Sequence, residues 1–497
     1  MTRRAGSAPG EHARVEPQGA WCVERIRAAE DAVLARTREG ALMQRAAFGL
    51  AAVAARMLRE RTGGVAGRRV GLLVGAGDNG GDALWAGAFL RRRGVAVTAV
   101  LLAPDRAHPA GLAALRRAGG RTAAVLPGRL DLVLDGIVGL SGRGGLRPDA
   151  ARLVQQVSAP ILAVDSPSGV DPDTGAVDGA AVTATATVTF GARKPVHLLN
   201  PQRCGRVHVV DLGFELEEPD LGVLTAAEVG ACWPAPGPAD DKYTQGVTGV
   251  AAGSADYPGA AVLCTGGAVL ATSGMVRFAG TAADAVRTRW PEVVATGSVA
   301  DAGRVQAWVV GPGLGTGSAG RVVLEHVLGE GVPVCADADA VTLLSRHPEL
   351  ADTRDPDASL VLTPHDREFE RLTGSAPGAD RASAVREAAR HFGAVVLLKG
   401  NTTLVAAPDG RLLANPARSA WPATAGSGDV LSGVVGALLA AGLDPATAAA
   451  AAVHAHELAA DLAAHSGAPC GAPAPASALQ ASLPEAIRSL RRMSWHR

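Results

Sequence analysis

The amino-acid sequence predicts an α/β protein of two domains, and three observations support this prediction. The chain has 497 residues, which is too long for a single hydrophobic core. Short apolar strands alternate with helical segments in both halves, a pattern typical of parallel sheets flanked by helices. Residues 216–240 are rich in Pro, Gly and acidic residues, which predicts a linker. We therefore expect a disordered leader over 1–20, a first domain over 21–215 and a second domain over 241–497.

Composition excludes several classes of function. Hydrophobic residues make up 47% of the chain and aromatic residues only 3%, so the cores must consist mainly of Ala, Val and Leu. The net charge is zero, which argues against a broad basic surface for nucleic acid. The six cysteines are scattered without close pairs, which suits a reduced cytosol and no zinc site. No uncharged apolar run reaches the roughly 18 residues of a membrane span. These features predict a cytoplasmic protein that binds neither nucleic acid nor membrane.

Lysine is used sparingly in this chain. Only Lys194, Lys242 and Lys399 are lysines among the 48 basic residues, and all others are arginines. Lysine differs from arginine in shape, in hydration and in its ability to lose a proton. A set of only three lysines could arise by chance, but all three fall in the motif-like segments described below. We therefore treat the lysines as candidate functional residues.

The first half begins with helices and a glycine-rich loop. Apolar residues recur at helical spacing over Trp21–Arg59, with a break expected at Gly40. A short buried strand, Arg69–Val74, then enters a loop over Gly75–Asp82, and a helix follows through Arg93. A strand, glycine loop and helix in this order form a unit that can hold a dinucleotide. A tight strand-to-helix turn with no ligand is the alternative.

Candidate proton-transfer residues stand at the ends of later strands. Carboxyl ends of parallel strands meet at one rim of a sheet, where ligands bind. Asp165 ends one strand and Lys194 follows another, so the two side chains could act as an acid–base pair. A salt bridge at the sheet edge is the alternative. The further strands expected in this half are Val95–Leu102, Leu132–Asp135, Ile161–Asp165 and Thr183–Phe190.

These segments together resemble a known domain. The residues that carry the resemblance are Asn79-Gly80-Gly81-Asp82, Asp135-Gly136, Asp165-Ser166-Pro167-Ser168-Gly169 and Thr189-Phe190 to Lys194. Over about residues 20–215 the chain resembles the N-terminal epimerase domain of the NAD(P)H-hydrate repair enzymes. The resemblance implies a Rossmann-like three-layer sandwich, proton transfer by Asp165 and Lys194, and a potassium ion held by Asn79, Asp135 and Ser168. It also implies a substrate site formed by Asp78, Asn79, Gly80, Gly81, Asp82, Gly139, Leu140, Ser141, Gly142 and Asp165.

Three positions depart from the pattern of that family. Asp78 stands where the family has Asn, Ala83 where it has Gly, and Gly136 where it has Ala. Asp78 adds a negative charge beside the expected nucleotide.

The second half repeats the alternation of strands and helices. A strand through Ala251 is followed by the strands Gln306–Val310, Val332–Ala336, Leu360–Leu362 and Val395–Leu398. Each ends in small or polar residues, which predicts a site along one rim of the sheet. Taken singly, His365 could be a surface histidine and Lys399 a solvated lysine. Several such segments in one domain favour a site.

The stretch Ala425–Gly433 joins small residues to an acid that opens an apolar helix. Glycines let the backbone come close to a ligand, and free amide groups at a helix N-terminus bind anions. A carboxylate next to a bound phosphate is repelled by it. Its presence at such a site therefore suggests a chemical role. Asp429 is placed to take a proton from a hydroxyl that attacks the phosphate. An Asp that only caps a helix is the alternative.

The second half also resembles a known family. Gly426-Ser427-Gly428-Asp429 resembles the ribokinase-like superfamily, and the segments at Lys242, Gly311, Asp337, Thr363 and Lys399 narrow the resemblance to the NAD(P)H-hydrate dehydratases, over about residues 240–460. Asp241 stands where the family has His. The resemblance implies a ribokinase-like α/β domain with Asp429 as the catalytic base. It implies a substrate site at Ala261, Gly313, His365 and Asp429, and an ADP site at Lys399, Gly400, Asn401, Thr402, Thr403 and Gly428.

The two resemblances together predict a bifunctional enzyme. The first domain would epimerise the hydrates of NADH and NADPH, and the second would dehydrate the S epimer with ADP as cosubstrate and Mg²⁺. We expect K⁺ in the first domain and a homo-oligomer. The alternative is a vitamin-precursor kinase fused to a non-catalytic nucleotide-binding module. The preference between NADHX and NADPHX, and between ADP and ATP, is left open.

Overall fold

The computed structural model describes residues 19–140, 142 and 144–494. Within these residues the chain forms a seven-stranded sheet and an eleven-stranded sheet. Helices accompany both sheets, so the predicted two-domain α/β architecture is confirmed. The first strand, β1 (Gly19–Ala20), belongs to the larger sheet although it lies at the start of the first half.

The first domain is built on a wholly parallel sheet. Its strands lie in the spatial order β4-β3-β2-β5-β6-β7-β8, and every neighbouring pair is parallel. The order reverses beside β2, so the carboxyl ends of β2 and β5 flank the crevice where such sheets bind ligands. The strands are β2 (Arg69–Val74), β3 (Ala96–Leu101), β4 (Arg121–Ala123), β5 (Leu132–Gly136), β6 (Ile161–Val164), β7 (Ala186–Phe190) and β8 (Arg206–Val210).

Helices cover both faces of this sheet. Val70, Leu72 and Val74 of β2 point to one face and join a large apolar core, whereas Leu73 joins a smaller core on the other face. This alternation is the two-residue period of a strand buried on both faces, and it produces the predicted three layers. The helices are α1 (Val23–Leu34), α2 (Ala41–Thr62), α3 (Asp78–Arg92), α4 (Pro109–Arg117), α5 (Pro148–Gln155), α6 (Val196–Leu199) and α7 (Pro201–Cys204).

Gly40 separates the first two helices, as predicted. Its φ of 73° lies in the left-handed region that glycine adopts without strain. The helical periodicity of the sequence therefore continues on either side of a real break. Helix α2 then packs against α3 and places ten of its residues in the interior.

The second domain contains a parallel central sheet with antiparallel additions at one edge. The spatial order is β1-β9-β18-β17-β16-β15-β14-β13-β10-β11-β12. Neighbours from β16 to β12 are parallel, and β17 is antiparallel to both of its neighbours. The strands are β9 (Leu221–Gly222), β10 (Val247–Ala251), β11 (Met275–Ala279), β12 (Val294–Thr296), β13 (Ala307–Val310), β14 (Val334–Ala336), β15 (Leu360–Leu362), β16 (Val395–Leu398), β17 (Thr402–Ala406) and β18 (Leu412–Pro416).

Apolar cores lie on both faces of this sheet as well. Helix α15, which contains Asp429 in its first turn, is almost entirely buried and packs along α9. Its glycines permit this close approach, since a Cβ on Gly433 would lie 2.0 Å from the carbonyl oxygen of Cys264. The helices are α8 (Ala226–Cys232), α9 (Pro258–Ala271), α10 (Ala283–Arg289), α11 (Ser318–Leu328), α12 (Asp339–Arg346), α13 (Asp366–Thr373), α14 (Arg381–Phe392), α15 (Ser427–Ala440), α16 (Pro445–His465) and α17 (Ala476–Ser494).

The segment predicted as a linker, 216–240, contains regular structure. It includes the short strand β9, which lies between β1 and β18, and the helix α8, which begins with a capping box formed by Thr225 and Glu228 and packs on α17. Gly19 and Ala20 of the predicted leader pair with β9 in antiparallel register, while residues 1–18 lie outside the described part. A two-residue strand has no periodicity, and its pairing depends on residues about two hundred positions apart, so sequence patterns do not reveal it.

Helix α2 has the length and mean hydropathy of a membrane span, alone among the helices of the described residues. More than half of the residues in its apolar window are buried inside the first domain. The same composition serves the core of an α/β domain, where the helix packs between α3 and the sheet.

Candidate active sites

The first candidate site is a cavity of about 190 Å³ at the carboxyl rim of the smaller sheet. The start of α3, the loop after β5, the end of β6 and helix α1 surround it. The cavity is therefore lined by side chains from several of the motif segments, which are far apart in the sequence. Its lining consists of Ile26, Arg27, Glu30, Gly77, Asp78, Asn79, Asp82, Gly139, Leu140, Asp165, Phe190, Lys194 and Phe214.

Asp165 and Lys194 are in direct contact. Lys194 Nζ lies 2.5 Å from Asp165 Oδ1, and it also donates to Thr189 Oγ1 at 2.9 Å and to the Phe190 carbonyl oxygen at 3.1 Å. Lys194 is 1% exposed and Asp165 3% exposed. The pair is a salt bridge, as the alternative from the sequence expects, but it is buried rather than solvated. A buried ammonium with its three protons directed at three acceptors is held in one orientation.

Asp165 has an unusual backbone. Its φ is 68°, a left-handed conformation that costs a residue with a side chain about 1–3 kcal/mol and clusters at functional sites. Its amide donates to the Val188 carbonyl oxygen at 2.7 Å, which fixes this corner against β7. The conformation places both its carboxylate and its carbonyl among the residues around Lys194.

Further carboxyl groups face the same cavity. Burial, together with the charges of Asp165, Asp78 and Glu30, raises the pKa of Asp82 well above its usual value. Burial and Asp165 also raise the pKa of Glu30. Asp82 Oδ1 is buried and has no hydrogen-bond partner among the described residues. An unpaired buried carboxyl oxygen at the cavity wall is suited to a polar group of a ligand.

Asp135, Ser168 and Asn79 converge behind this cavity. Ser168 donates to Asp135 from its hydroxyl at 2.7 Å and from its amide at 2.9 Å. Asn79 Nδ2 donates to the Val164 carbonyl oxygen at 2.6 Å and lies 3.4 Å from that of Val138. Burial raises the pKa of Asp135 against these hydrogen bonds, and no cationic side chain among the described residues compensates for it. The oxygen-rich set fits a hard monovalent cation and would not hold a thiophilic metal.

Four residues expected in the first site are not among those that line the cavity. Gly80 and Gly81 lie in the first turn of α3 and pack against Gly75 and His108, outside the lining of the cavity. Gly142 donates its amide to Gly139, which closes the turn after β5. Ser141 lies outside the described residues.

Two of the departures from the family pattern occupy one space. A Cβ added at Gly136 would lie 2.8 Å from the Ala83 Cβ and 2.7 Å from the Asn79 carbonyl oxygen. The family pattern has the larger residue at position 136 and the smaller at 83, and this chain has the reverse. The methyl group of Ala83 therefore takes up the room that an alanine at 136 would need. Asp78, the third departure, is exposed at the start of α3.

The second candidate site is centred on Lys399, at the end of β16. Lys399 Nζ lies 2.8 Å from Asp337 Oδ1 and 3.9 Å from Glu368 Oε2. Ser432 of α15 donates to Asp337 Oδ2 at 2.7 Å. Although burial opposes ionisation, the Lys399 ammonium holds the pKa of Asp337 below its usual value, and Asp337 in turn raises the pKa of Lys399. The pair is therefore charged near neutral pH.

Asp429 lies in the first turn of α15, beside this pair. Burial and the charge of Asp337 raise the pKa of Asp429 to about 7, and Lys399 opposes the shift. The N-cap of α15 is Gly426 and carries no side-chain cap, so Asp429 is not the residue that caps this helix. A general base is most effective when its pKa is near the working pH.

A cavity of about 540 Å³ opens beside the glycine loop that precedes Asp429. Gly428, in the first turn of α15, lies next to the ammonium, since a Cβ added there would be 3.7 Å from Lys399 Nζ, an ordinary van der Waals contact. Free amides and an ammonium aimed at one space form an anion site. The lining consists of His365, Lys399, Gly400, Asn401, Thr403, Ala417, Ser419, Ala420, Pro422, Ala423, Thr424, Ser427, Gly428, Leu431, Val453, His456 and Glu457.

Thr402, also expected to bind ADP, faces elsewhere. It lines a wider cavity of about 720 Å³ that runs between the domains. This interdomain cavity shares four residues with the cavity of about 540 Å³, namely His365, Lys399, Gly400 and Asn401. On the opposite wall stand residues of the first domain, among them Asn200 and Gln202. The second site therefore continues into the groove between the domains.

The residues expected to bind the substrate of the second domain come from separate elements. Ala261 is buried in α9, and Gly313 lies against Tyr257 and Ala260 at the start of that helix. His365 caps α13 through Nδ1, which accepts from the amides of Arg367 and Glu368 at 3.1 and 3.3 Å. Its side chain is 48% exposed, as the surface-histidine alternative expects, and the residue also lines both cavities.

Sequence reasoning missed several residues of this site. Asp337 was noted in a motif but given no role, although it fixes Lys399 and raises the pKa of Asp429. His456 lies 3.0 Å from Ser427 Oγ at the end of the glycine loop and lines the cavity. Burial raises the pKa of its neighbour Glu457 to about 8. Spacing along α16 gave no indication of this face, because the contacts come from a distant loop.

Comparisons with known families agree with the division into two halves. Residues 248–481 match the family described as NAD(P)H-hydrate dehydratase. Residues 39–196 match the family described as YjeF-related protein N-terminus.

Relatives of known function cover most of the chain. The bifunctional NAD(P)H-hydrate repair enzyme Nnr of Mycobacterium tuberculosis H37Rv is 58% identical over 433 residues, which are 86% of this chain and 91% of that protein. The enzyme of the same name from Escherichia coli K12 is 32% identical and is covered over 79% of its length. The solved structure of the ADP/ATP-dependent NAD(P)H-hydrate dehydratase from Bacillus subtilis, co-crystallised with ATP/Mg²⁺, aligns at 29% identity and a TM-score of 0.49 over 54% of this chain and 99% of that one.

Proposed function

The chain belongs to the family of bifunctional NAD(P)H-hydrate repair enzymes, and from this premise we propose how its two sites divide the reaction. The first domain epimerises the hydrated coenzyme, and the second dehydrates the S epimer to NADH or NADPH. The observation that carries the proposal is the pairing of a buried ammonium–carboxylate contact in one domain with Asp429 in the first turn of a helix, near the Lys399–Asp337 ion pair, in the other.

In the first site, we assign proton transfer to Asp165 and Lys194. Interconversion of two epimers at a carbon that bears a hydroxyl requires one group that accepts a proton and one that returns it. The two side chains are in contact and both face the cavity. Asp82, whose raised pKa favours the protonated form, is suited to donate a hydrogen bond to the substrate.

We propose that Asn79, Asp135 and Ser168 hold a potassium ion. Asp135 is buried, and the burial that raises its pKa would be compensated by a cation. Such an ion would supply fixed positive charge next to the substrate site and would keep the Asp135 carboxylate ionised.

In the second site, Asp429 takes the proton from the hydroxyl of the hydrated ring. The hydroxyl oxygen then attacks the β-phosphorus of ADP, and AMP leaves. Inorganic phosphate departs from the ester as the ring nitrogen supplies electrons, and loss of a proton from the neighbouring carbon restores the double bond. Lys399 and the amides at the start of α15 bind the phosphate oxygens throughout.

The nucleotide site we propose is formed by Lys399, Gly400, Asn401, Thr403 and Gly428, with Mg²⁺ neutralising the phosphates. The interdomain groove then has room for the part of the dinucleotide distant from the reacting ring. The six cysteines, all free, support the proposed cytoplasmic location. We also propose a homo-oligomer that binds neither nucleic acid nor membrane.

The test is recovery of NADPH absorbance from NADPH hydrate, with ADP, ATP or no nucleotide added. We expect full recovery of an epimer mixture with ADP and one equivalent each of AMP and phosphate. No recovery without nucleotide is expected. Failure to consume the hydrate with either nucleotide, together with phosphorylation of a vitamin precursor, would favour the kinase alternative instead.

A further inference from the structure

His197 lies behind the first site, in a position that no motif indicated. It belongs to the short helix α6, three residues after Lys194, and is 3% exposed. It is not among the residues that line the cavity. Its ring nevertheless contacts both members of the proposed proton-transfer pair.

The two ring nitrogens have different partners. Nδ1 accepts from the amide of Lys194 at 2.9 Å, and Nε2 lies 2.9 Å from the carbonyl oxygen of Asp165. An amide can only donate and a carbonyl oxygen can only accept. The proton of a neutral ring must therefore be on Nε2, which donates to Asp165. Burial and the charge of Lys194 lower the pKa of His197 to about 4, so the ring is neutral at neutral pH.

The acceptor of this hydrogen bond is the strained residue of the site. Asp165 has a φ of 68°, and its carbonyl oxygen is directed at the ring of His197. A left-handed residue with a side chain persists only where its surroundings hold it. The Asp165 amide is held by Val188, and the carbonyl on the other side of the strained Cα is held by His197.

We propose that His197 is a positioning residue of the epimerase site. Its neutral ring bridges the main chains of Asp165 and Lys194 and keeps their side chains in contact with each other. This inference rests on the proposed roles of Asp165 and Lys194. His197 touches no substrate and transfers no proton. Its effect is exerted through the left-handed backbone of Asp165, which sets the direction of the carboxylate.

Two conservative variants separate the two hydrogen bonds. His197→Asn retains an acceptor near the position of Nδ1 and loses the donor to Asp165. His197→Gln can place a donor near the position of Nε2. We expect His197→Asn to lower the kcat of epimerisation on the order of 10- to 100-fold, the range for misplaced catalytic groups. The KM should change little, since the cavity lining is intact. His197→Gln should recover a substantial part of kcat.

The matched control is His208→Asn, a histidine on β8 outside the site, which should epimerise like the wild type. Dehydration of the pure S epimer, measured on the same samples, reports that the second domain is intact, and a thermal melt reports the folding of the first. Wild-type kcat in His197→Asn would overturn the inference. So would a loss in both variants that only follows the unfolded fraction in a thermal melt, because that is the behaviour of a structural core residue.

An Asp165→Asn variant, assayed in parallel, distinguishes failure of the His197 role from failure of the proposed epimerase site. If Asp165→Asn is inactive and the His197 variants are active, the inference fails and the proposed site stands. If Asp165→Asn epimerises normally, the proposed site fails and the role of His197 falls with it.

Discussion

The hydroxyl of Thr402 donates a 2.7 Å hydrogen bond to the carbonyl oxygen of Leu198. Thr402 opens β17 directly after the proposed nucleotide loop, and Leu198 lies in α6, four residues after Lys194. The two residues are in different domains, and Thr402 is 5% exposed. One buried hydrogen bond thus joins the loop of Lys399 to the helix that follows the lysine of the other site.

We expect Thr402→Val to weaken nucleotide binding. Valine has the shape of threonine but cannot donate, so the Leu198 carbonyl would be left unpaired at a cost of about 1–3 kcal/mol. The loop of Lys399, Gly400 and Asn401 would lose this attachment to the first domain. The KM for ADP should rise roughly three- to tenfold, on the order of 1 kcal/mol, in a dehydration assay with saturating S epimer.

Thr187→Val is the matched control for this variant. The Thr187 hydroxyl donates to the Cys204 carbonyl oxygen at 2.6 Å and is equally buried, but both residues lie in the first domain. This control should lower the melting temperature and leave the KM for ADP unchanged. An unchanged KM in Thr402→Val as well would mean that the interdomain bond does not support the nucleotide loop.

The exchange of sizes at positions 83 and 136 predicts a non-additive pair. Gly136→Ala would place a methyl group 2.8 Å from the Ala83 Cβ, and such overpacking costs about 1–3 kcal/mol. Ala83→Gly alone should cost about 1 kcal/mol, because glycine destabilises a helix. The double variant should be more stable than Gly136→Ala, since one of the two clashes is removed. Denaturant unfolding of all four proteins measures this coupling.

The second clash sets the limit of the rescue. A methyl group at 136 would still approach the Asn79 carbonyl oxygen at 2.7 Å, so the double variant should remain below the wild type. Strict additivity of the two single changes would contradict the idea that the two departures compensate for each other.

Much of the fold could be predicted because the strands are continuous apolar runs with clear ends. Arg69–Val74, Leu360–Leu362 and Val395–Leu398 were predicted with the bounds that the structure has. Each is followed by glycine or by a polar residue at the rim: Gly75, Thr363 and Lys399. The break at Gly40 was equally clear, because helical periodicity resumes after it.

The missed features depend on contacts between distant parts of the chain. Strand β1 exists only through its pairing with β9. The role of Asp337 depends on α15 bringing Ser432 and Asp429 beside it. His197 has no distinguishing sequence signal, because its meaning comes from the left-handed corner at Asp165. Motifs indicated where the two candidate sites lie, but the residues that contact Asp165, Lys194 and Lys399 could be identified only from the structure.

Dehydration should depend on pH through Asp429. The base must be ionised to accept a proton, and burial raises the pKa of Asp429 to about 7. We therefore expect kcat/KM to rise about tenfold per pH unit below 7 and to level off above it. Asp429→Asn keeps the size and removes the base, so dehydration should fall at least the roughly 10²-fold typical of general-base catalysis, with epimerisation unchanged.

Glu457 provides the control for this assignment. It lines the cavity of about 540 Å³ beside the loop that precedes Asp429, and burial raises its pKa to about 8, so it could in principle produce a similar pH limb. Glu457→Gln keeps the size and removes the titration. Persistence of the limb near pH 7 in this variant supports Asp429 as the base, and disappearance of the limb would transfer the titration to Glu457.

Lys194 has no room for a larger cation. It is 1% exposed, and its ammonium is enclosed by Asp165, Thr189 and the Phe190 carbonyl. Two replacements therefore test different properties. Lys194→Arg keeps the charge, but the guanidinium does not release its proton near neutral pH. Lys194→Met keeps the approximate length of the side chain and removes the charge.

Both replacements should lose most epimerase activity if Lys194 takes part in proton transfer. The second domain should still consume the S epimer, because its site shares no residue with the first cavity. A mixture of epimers would then be repaired rapidly to a partial plateau, followed by slow spontaneous epimerisation. Absorbance recovery of NADPH follows both phases, and pure S epimer serves as the control for folding. If Lys194→Arg gives complete repair in one phase while Lys194→Met gives two, positive charge alone suffices, and proton transfer by Lys194 must be abandoned.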